Sequence, residues 1–137
     1  MRAVLDTNVF ISGIHWPGYS EKVLRHWFLG SFELVSSMPI INEIIDTLMS
    51  FEVPMSAEDI LWWKSLLLEK SVIVMPKEKV NVVARDMEDN KFIEAALEGH
   101  AEFIVSLDKD LLDIGSYVGI KILRPNSFLG LIKITED

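Results

Sequence analysis

The chain has 137 residues, of which 50% are hydrophobic and 25% are charged. This composition is typical of one folded domain and excludes a disordered chain. The formal net charge of −8 disfavours nucleic-acid binding, which depends on Lys and Arg contacts to phosphate, unless bound cations invert the field at the site. The chain lacks cysteine, which excludes disulfides and thiolate zinc sites. We expect a single cytoplasmic domain over residues 1–137 with no membrane association, because no apolar run is long enough to cross a bilayer.

Short apolar runs alternate with helical patterns along the chain. Five strands are predicted, at residues 3–5, 32–36, 72–75, 103–106 and 120–123. Helices are predicted at residues 20–29, 37–49, 56–68, 89–98 and 127–132. Strands that alternate with helices of this length indicate an α/β fold, with a parallel sheet covered by helices on both faces.

Acidic residues stand at the ends of two predicted strands and at the starts of two predicted helices. Asp6 follows the first strand and Asp108 follows the fourth, while Glu43 lies one turn into a helix and Asp89 lies at the start of another. Right-handed crossovers bring such positions to one edge of a parallel sheet, where α/β proteins bind ligands. Carboxylates gathered there, without His or Cys ligands, suit Mg²⁺ or Mn²⁺. Such a site supports phosphoester hydrolysis, because divalent cations activate water and neutralise phosphate charge.

Each of these acids also has an ordinary structural interpretation. Asp6 and Asp89 can cap the helices that follow them, and a lone Glu43 can be a solvated residue near a helix N-terminus. Asp46 competes with Glu43 for one position. Asp86 competes weakly with Asp89. Asp108 and Asp110 could divide the role of the fourth acid between them.

Four segments resemble, in the same order, the acidic signatures of the PIN-domain family: residues 4–10 (VLDTNVF), 42–44 (NEI), 86–92 (DMEDNKF) and 106–112 (SLDKDLL). The resemblance implies a three-layer α/β/α sandwich with a central parallel sheet of about five strands, and a metal-dependent endoribonuclease activity. The residues that match the family's metal-binding and catalytic acids are Asp6, Glu43, Asp89 and Asp108, with Asp110 as an accessory acid and Asn8 and Ser106 as supporting residues.

The resemblance also implies partners. Many single-domain members of this size are VapC-like toxins of toxin–antitoxin pairs, which form homodimers and are inhibited by an antitoxin protein. RNA is the expected substrate, and Arg85, Lys91 and Lys109 flank the acids in sequence, so we expect them to contact its phosphates. Exposed aromatic residues on the helix that carries Trp62 and Trp63 favour self-association.

Two alternatives remain at this stage. A phosphatase that forms an aspartyl-phosphate normally has a second Asp two residues after the first, where this chain has Asn8. A receiver domain needs a phosphorylated Asp at the end of a central strand, whereas the third strand ends in Met75 and Pro76. The other alternative is a non-catalytic RNA- or protein-binding module that retains the PIN fold.

Overall fold

The computed structural model of the protein describes residues 1–83 and 86–136. Its strands are β1 (Arg2–Leu5), β2 (Glu33–Ser37), β3 (Ser71–Val74), β4 (Phe103–Val105), β5 (Ser116–Tyr117) and β6 (Ile120–Leu123). Its helices are α1 (Thr7–His15), α2 (Tyr19–Leu29), α3 (Met38–Ser50), α4 (Ala57–Lys70), α5 (Asn90–Glu98), α6 (Lys109–Leu112) and α7 (Pro125–Glu136), with a 3₁₀ turn at Met87–Asp89 before α5. None of the helices in these ranges is both long and apolar enough to span a bilayer.

The strands form one sheet in the order β3-β2-β1-β4-β6-β5, and its first five strands are parallel. The predicted α/β fold with a central parallel sheet is therefore confirmed. All five predicted strands form, with ends that differ by at most one residue.

A sixth strand, β5, was not predicted. It pairs antiparallel with β6 through a two-residue loop, Val118 and Gly119, whose φ angles are 48° and 83°. Two positive φ angles are typical of a type I′ hairpin, which normally has Asn or Gly at both positions. The Val at the first position hides this signal in the sequence.

The topology of the sheet creates a crevice beside β1. Strand β1 lies between β2 and β4, so the chain builds outward on one side of β1 and then crosses to the other side. The backbone N–H of Asp6 donates to the carbonyl of Val105 at 3.0 Å, which keeps the carboxyl ends of β1 and β4 together. In open α/β sheets, ligands bind at this reversal of strand order, outside the carboxyl ends of the strands.

The apolar core holds the elements around this crevice in place. Helix α5 contacts β1, β2 and β4, while α2 contacts α1 and α7. Core side chains from both strands and helices, among them Val4, Ile44, Ile93 and Ile104, are completely buried. Packing of this density fixes the directions in which the strand ends and helix starts present their polar side chains.

Candidate functional site

Asp6 is the most deeply buried acid of the crevice, with 2% of its surface exposed. Its Oδ1 atom accepts a hydrogen bond from the backbone N–H of Val9 at 3.0 Å, so Asp6 is the N-cap of α1. Its Oδ2 atom accepts from the Ser106 hydroxyl and from the backbone N–H of Leu107, the latter at 3.2 Å. Burial raises the pKa of Asp6 to about 6, although these hydrogen bonds lower it.

Asp108 and Asp89 meet beside Asp6. Asp108 is the N-cap of α6, and its own backbone N–H donates to the Ser106 oxygen at 2.9 Å. Asp89 lies at the end of the 3₁₀ turn, where its carboxyl group is hydrogen-bonded to that of Asp108. The pKa of Asp89 is raised to about 8, first by desolvation, then by this hydrogen bond and by the charges of Asp108 and Asp86. In the absence of a cation, Asp89 therefore keeps its proton at neutral pH.

Glu43 enters the crevice from α3 and has two partners. Its Oε2 atom accepts a hydrogen bond from the Thr7 hydroxyl at 2.6 Å and lies 3.1 Å from Nζ of Lys91. The Lys91 side chain is only 13% exposed. Asp46, the competing acid on α3, is exposed and lines a neighbouring groove instead.

These acids share one cleft of about 290 Å³. It is lined by Asp6, Thr7, Asn8, Glu43, Thr47, Asp86, Asp89, Phe92 and Asp108. The structure thus brings together the four acids predicted from the sequence and adds Asp86. Asn8 lines the cleft with an exposed side chain, whereas Ser106 directly contacts Asp6. Asp110 lies in the first turn of α6, and its backbone N–H donates to Oδ1 of Asp108 at 3.1 Å.

The three basic residues predicted to bind substrate differ in their environments. Lys109 is exposed and lies directly after Asp108 in the chain. Lys91 is mostly buried and paired with Glu43. Arg85 lies outside the described residues. Of the two described lysines, Lys109 is the one whose side chain solvent can reach freely.

The chemistry of the cleft fits a hard divalent cation. Its donors are carboxylate and hydroxyl oxygens, which Mg²⁺ and Mn²⁺ prefer. Within residues 1–83 and 86–136, no three acidic or His side chains stand in an arrangement ready to hold a metal ion. Without a cation, Asp89 keeps a proton because its pKa is raised to about 8, and a bound cation would replace that proton.

Sequence reasoning missed two polar residues that support the site. Thr7 holds Glu43, and its hydroxyl was not singled out although it directly follows Asp6. Asn90 is 4% exposed, and its Oδ1 atom accepts from the backbone N–H groups of Val82 and Val83 at 2.9 and 2.8 Å. Its position beside Asp89 in the 86–92 segment was the available signal.

The raised pKa of Asp89 predicts a pH-dependent difference in stability between the metal-free protein and its Asp89→Asn variant. The pKa of Asp89 is about 8 in the folded protein, compared with 3.8 for an unperturbed Asp side chain, as in the unfolded chain. The free energy of unfolding therefore falls as the pH rises from about 4 to 8. Asp89→Asn has no carboxyl group to titrate at this position and does not lose this stability. The Tm of the variant relative to that of the native protein should therefore rise over this pH range and then level off.

Thermal unfolding in chelator between pH 4 and 9 measures this difference. Asp46→Asn, which removes an exposed acid outside the cleft, is the control and should leave the pH profile unchanged. If the Tm of Asp89→Asn differed from that of the native protein by the same amount at all pH values, the raised pKa of Asp89 would be contradicted.

Comparison with known proteins identifies the family. The family model described as a PIN domain matches residues 2–110. An uncharacterized protein, MJ1680, of Methanocaldococcus jannaschii is 35% identical over 94% of this chain and 90% of its own length.

Two solved structures have a similar fold. One is VapBC-1 from nontypeable Haemophilus influenzae, with a TM-score of 0.61 and 18% identity over 92% of this chain and 99% of that chain. The other is FitAcB from Neisseria gonorrhoeae, with a TM-score of 0.55 and 13% identity over 90% of this chain and 97% of that chain. PIN domains are generally nucleases that use divalent metal ions. The chain belongs to the PIN-domain family.

Proposed function

We propose that the protein is an endoribonuclease that hydrolyses RNA phosphodiester bonds with Mg²⁺ or Mn²⁺. The observation that carries this proposal is the convergence of Asp6, Asp89 and Asp108 in one cleft at the carboxyl ends of β1 and β4. The cleft contains neither a His nor a Cys, so the available chemistry is that of oxygen ligands. Membership of a family that generally has nuclease activity supports the same conclusion.

The residues that would hold the cation are Asp6, Asp89 and Asp108, with Glu43 and Asp110 as further carboxylates. A divalent cation would supply Lewis acidity toward the scissile phosphate and compensate for its negative charge. Ser106 and the backbone N–H of Leu107 hold the Asp6 carboxylate in a fixed orientation. To hold a cation, Asp89 would have to release its proton, so binding should tighten as pH rises.

The net charge of −8 is compatible with an RNA substrate because part of it lies in this cleft. Five of the acids line the cleft itself, where bound cations would reverse the local field. Outside it, Lys109 is exposed beside Asp108. We propose that Lys109 and Arg85 contact RNA phosphates. Lys91 could contact an RNA phosphate only if its ion pair with Glu43 were broken.

Cleavage of RNA should depend on both the metal and these acids. Purified protein should cut a mixed panel of single-stranded and structured RNAs with Mn²⁺ or Mg²⁺ but not with chelator. Asp89→Asn and Asp6→Asn should each lower the cleavage rate by at least about 100-fold, because changes even outside a metal's ligand shell cost 10–100-fold. Asp46→Asn is the matched control and should retain the native rate.

If the native protein binds Mn²⁺ and cuts nothing on a broad panel, the alternative of a non-catalytic RNA- or protein-binding module is favoured. Cleavage that persists in chelator would contradict the metal-dependent mechanism.

We further propose that the protein is the cytoplasmic toxin of a toxin–antitoxin pair. The two similar structures are toxin–antitoxin complexes, which supports an antitoxin protein as the partner of this chain. Induced expression of the native chain in a bacterial host should arrest growth and lower total RNA integrity, whereas Asp89→Asn at an equal protein level should not. Equal growth of the two cultures would count against the toxin role.

A homodimer is the second assembly we propose. The groove between α2 and α4 is lined mainly by apolar side chains, including Phe28, Trp62, Trp63 and Leu66, and has a volume of about 250 Å³. Trp62 is 54% exposed and Phe28 is 55% exposed, and aromatic residues are enriched at protein interfaces. A second copy of the chain that packs on this groove would bury them.

Light scattering tests the dimer. The native protein should have twice the mass of one chain, and Trp62→Lys should shift it toward the monomer. Met75→Lys, at a residue that is more exposed but outside the groove, should leave the mass unchanged. A native monomer at micromolar concentration would refute the proposal.

A further inference from the structure

We propose that Lys91 is a built-in counter-cation that neutralises Glu43 and limits the cleft to one divalent cation per chain. This inference rests on the proposed function, because it concerns how the same cleft holds its metal. It reassigns Lys91 from a contact with substrate phosphate to a positioning residue. It also assigns different roles to Glu43, at one end of the cleft, and to the acids at the other end, which are Asp6, Asp89 and Asp108.

Several contacts fix the Lys91 ammonium group in place. Its Nζ atom lies 3.1 Å from Oε2 of Glu43 and donates to the backbone carbonyl of Glu88 at 3.0 Å. The ammonium also lies 3.9 Å from Oε2 of Glu88 and 5.2 Å from the centre of the Phe92 ring. With 13% of its side chain exposed, Lys91 is held within the protein, unlike a flexible surface lysine that could follow a substrate.

Two partners from the described residues contact the same oxygen of the Glu43 carboxylate, Oε2. The same Oε2 atom accepts the Thr7 hydroxyl at 2.6 Å and faces Lys91. A charge-assisted hydrogen bond and a neutral one at the same oxygen satisfy much of its capacity as an acceptor. A divalent cation bound at that oxygen would have to displace the ammonium group or lie beside it, and like charges repel strongly at such a distance.

The charge of Lys91 also acts on Asp89, at the other end of the cleft, but not through a direct ion pair. Among the ion pairs of the described residues, none includes Asp6, Asp89 or Asp108. Asp89 and Asp108 instead hydrogen-bond to each other. Among the described residues, these three acids therefore line the cleft without a direct counter-charge, and Glu43 contributes little to attracting a divalent cation while Lys91 is present.

Titration of metal-free protein with Mn²⁺ tests the inference directly, because the EPR signal of free Mn²⁺ gives both stoichiometry and affinity. The native protein should bind one Mn²⁺ per chain. Lys91→Met removes the charge and keeps a similar side-chain length, and it should allow a second Mn²⁺ to bind. Lys91→Arg retains a cation and should stay at one.

Two further variants separate charge at Glu43 from general effects on the cleft. Lys109→Met removes an exposed lysine beside Asp108 and should keep a stoichiometry of one. In the double variant Lys91→Met with Glu43→Gln, the second ion should be lost again. Circular dichroism and thermal unfolding of each variant establish that it is folded.

The outcomes distinguish this inference from the proposed function. Two Mn²⁺ ions on the native chain, or one ion with unchanged affinity on folded Lys91→Met, would overturn the counter-cation role and leave the nuclease proposal standing. Absence of Mn²⁺ binding by the native protein would overturn both proposals. Gain of a second ion in Lys91→Met but not in Lys109→Met would establish the role.

Discussion

The hydrogen bond from the Ser106 hydroxyl to Asp6 joins the carboxyl ends of β1 and β4, and the geometry of the cleft depends on it. Asp6 and Ser106 are almost completely buried, where an unpaired carboxylate would carry a large desolvation cost. The Ser106 oxygen also accepts from the backbone N–H of Asp108. One hydroxyl group therefore sets the orientation of the first acid and the backbone position of another. Both strand ends must keep their register for this contact to exist, so the sheet and the site are specified together.

The charges of the cleft are arranged unequally around this hydrogen bond. Burial and mutual proximity raise the pKa values of Asp6 and Asp89, which means that the folded protein holds these acids in an unfavourable state without a cation. Glu43 is stabilised by Thr7 and Lys91 instead. The fold thus accepts an electrostatic cost at one end of the cleft and compensates for charge at the other. Such an electrostatic cost is typical of functional sites, and the protein tolerates it because favourable packing elsewhere offsets it.

The sequence predicted those features that follow from local pattern and from topology. Apolar runs located the five parallel strands, and the positions of Asp6 and Asp108 at strand ends were sufficient to place both acids at one edge of the sheet. Strand β5 could not be predicted, because two residues carry no periodicity and Val118 adopts an unfavourable φ of 48°. The contacts of Glu43 with Thr7 and Lys91 join residues that are distant in the chain. They depend on how α1, α3 and α5 meet, which no local pattern encodes.

Not every buried polar group near this cleft is part of its chemistry, and helix α5 illustrates the difference. Glu94 is buried like Asp6 but does not line the cleft. Its carboxylate accepts the backbone N–H of Val80 at 3.0 Å and lies 3.8 Å from Nζ of Lys79. Asn90 accepts from Val82 and Val83, one turn earlier on the helix. Side chains spaced by four residues along α5 thus replace the neighbouring strand that this extended segment lacks, and they satisfy backbone donors that would otherwise be costly to bury. This segment leads to Asp86 and Asp89, so the polar face of α5 helps to deliver these acids to the cleft. Glu94 is structural because its partners, the backbone of Val80 and the side chain of Lys79, lie outside the cleft, whereas Asp89 lines the cleft and faces another acid.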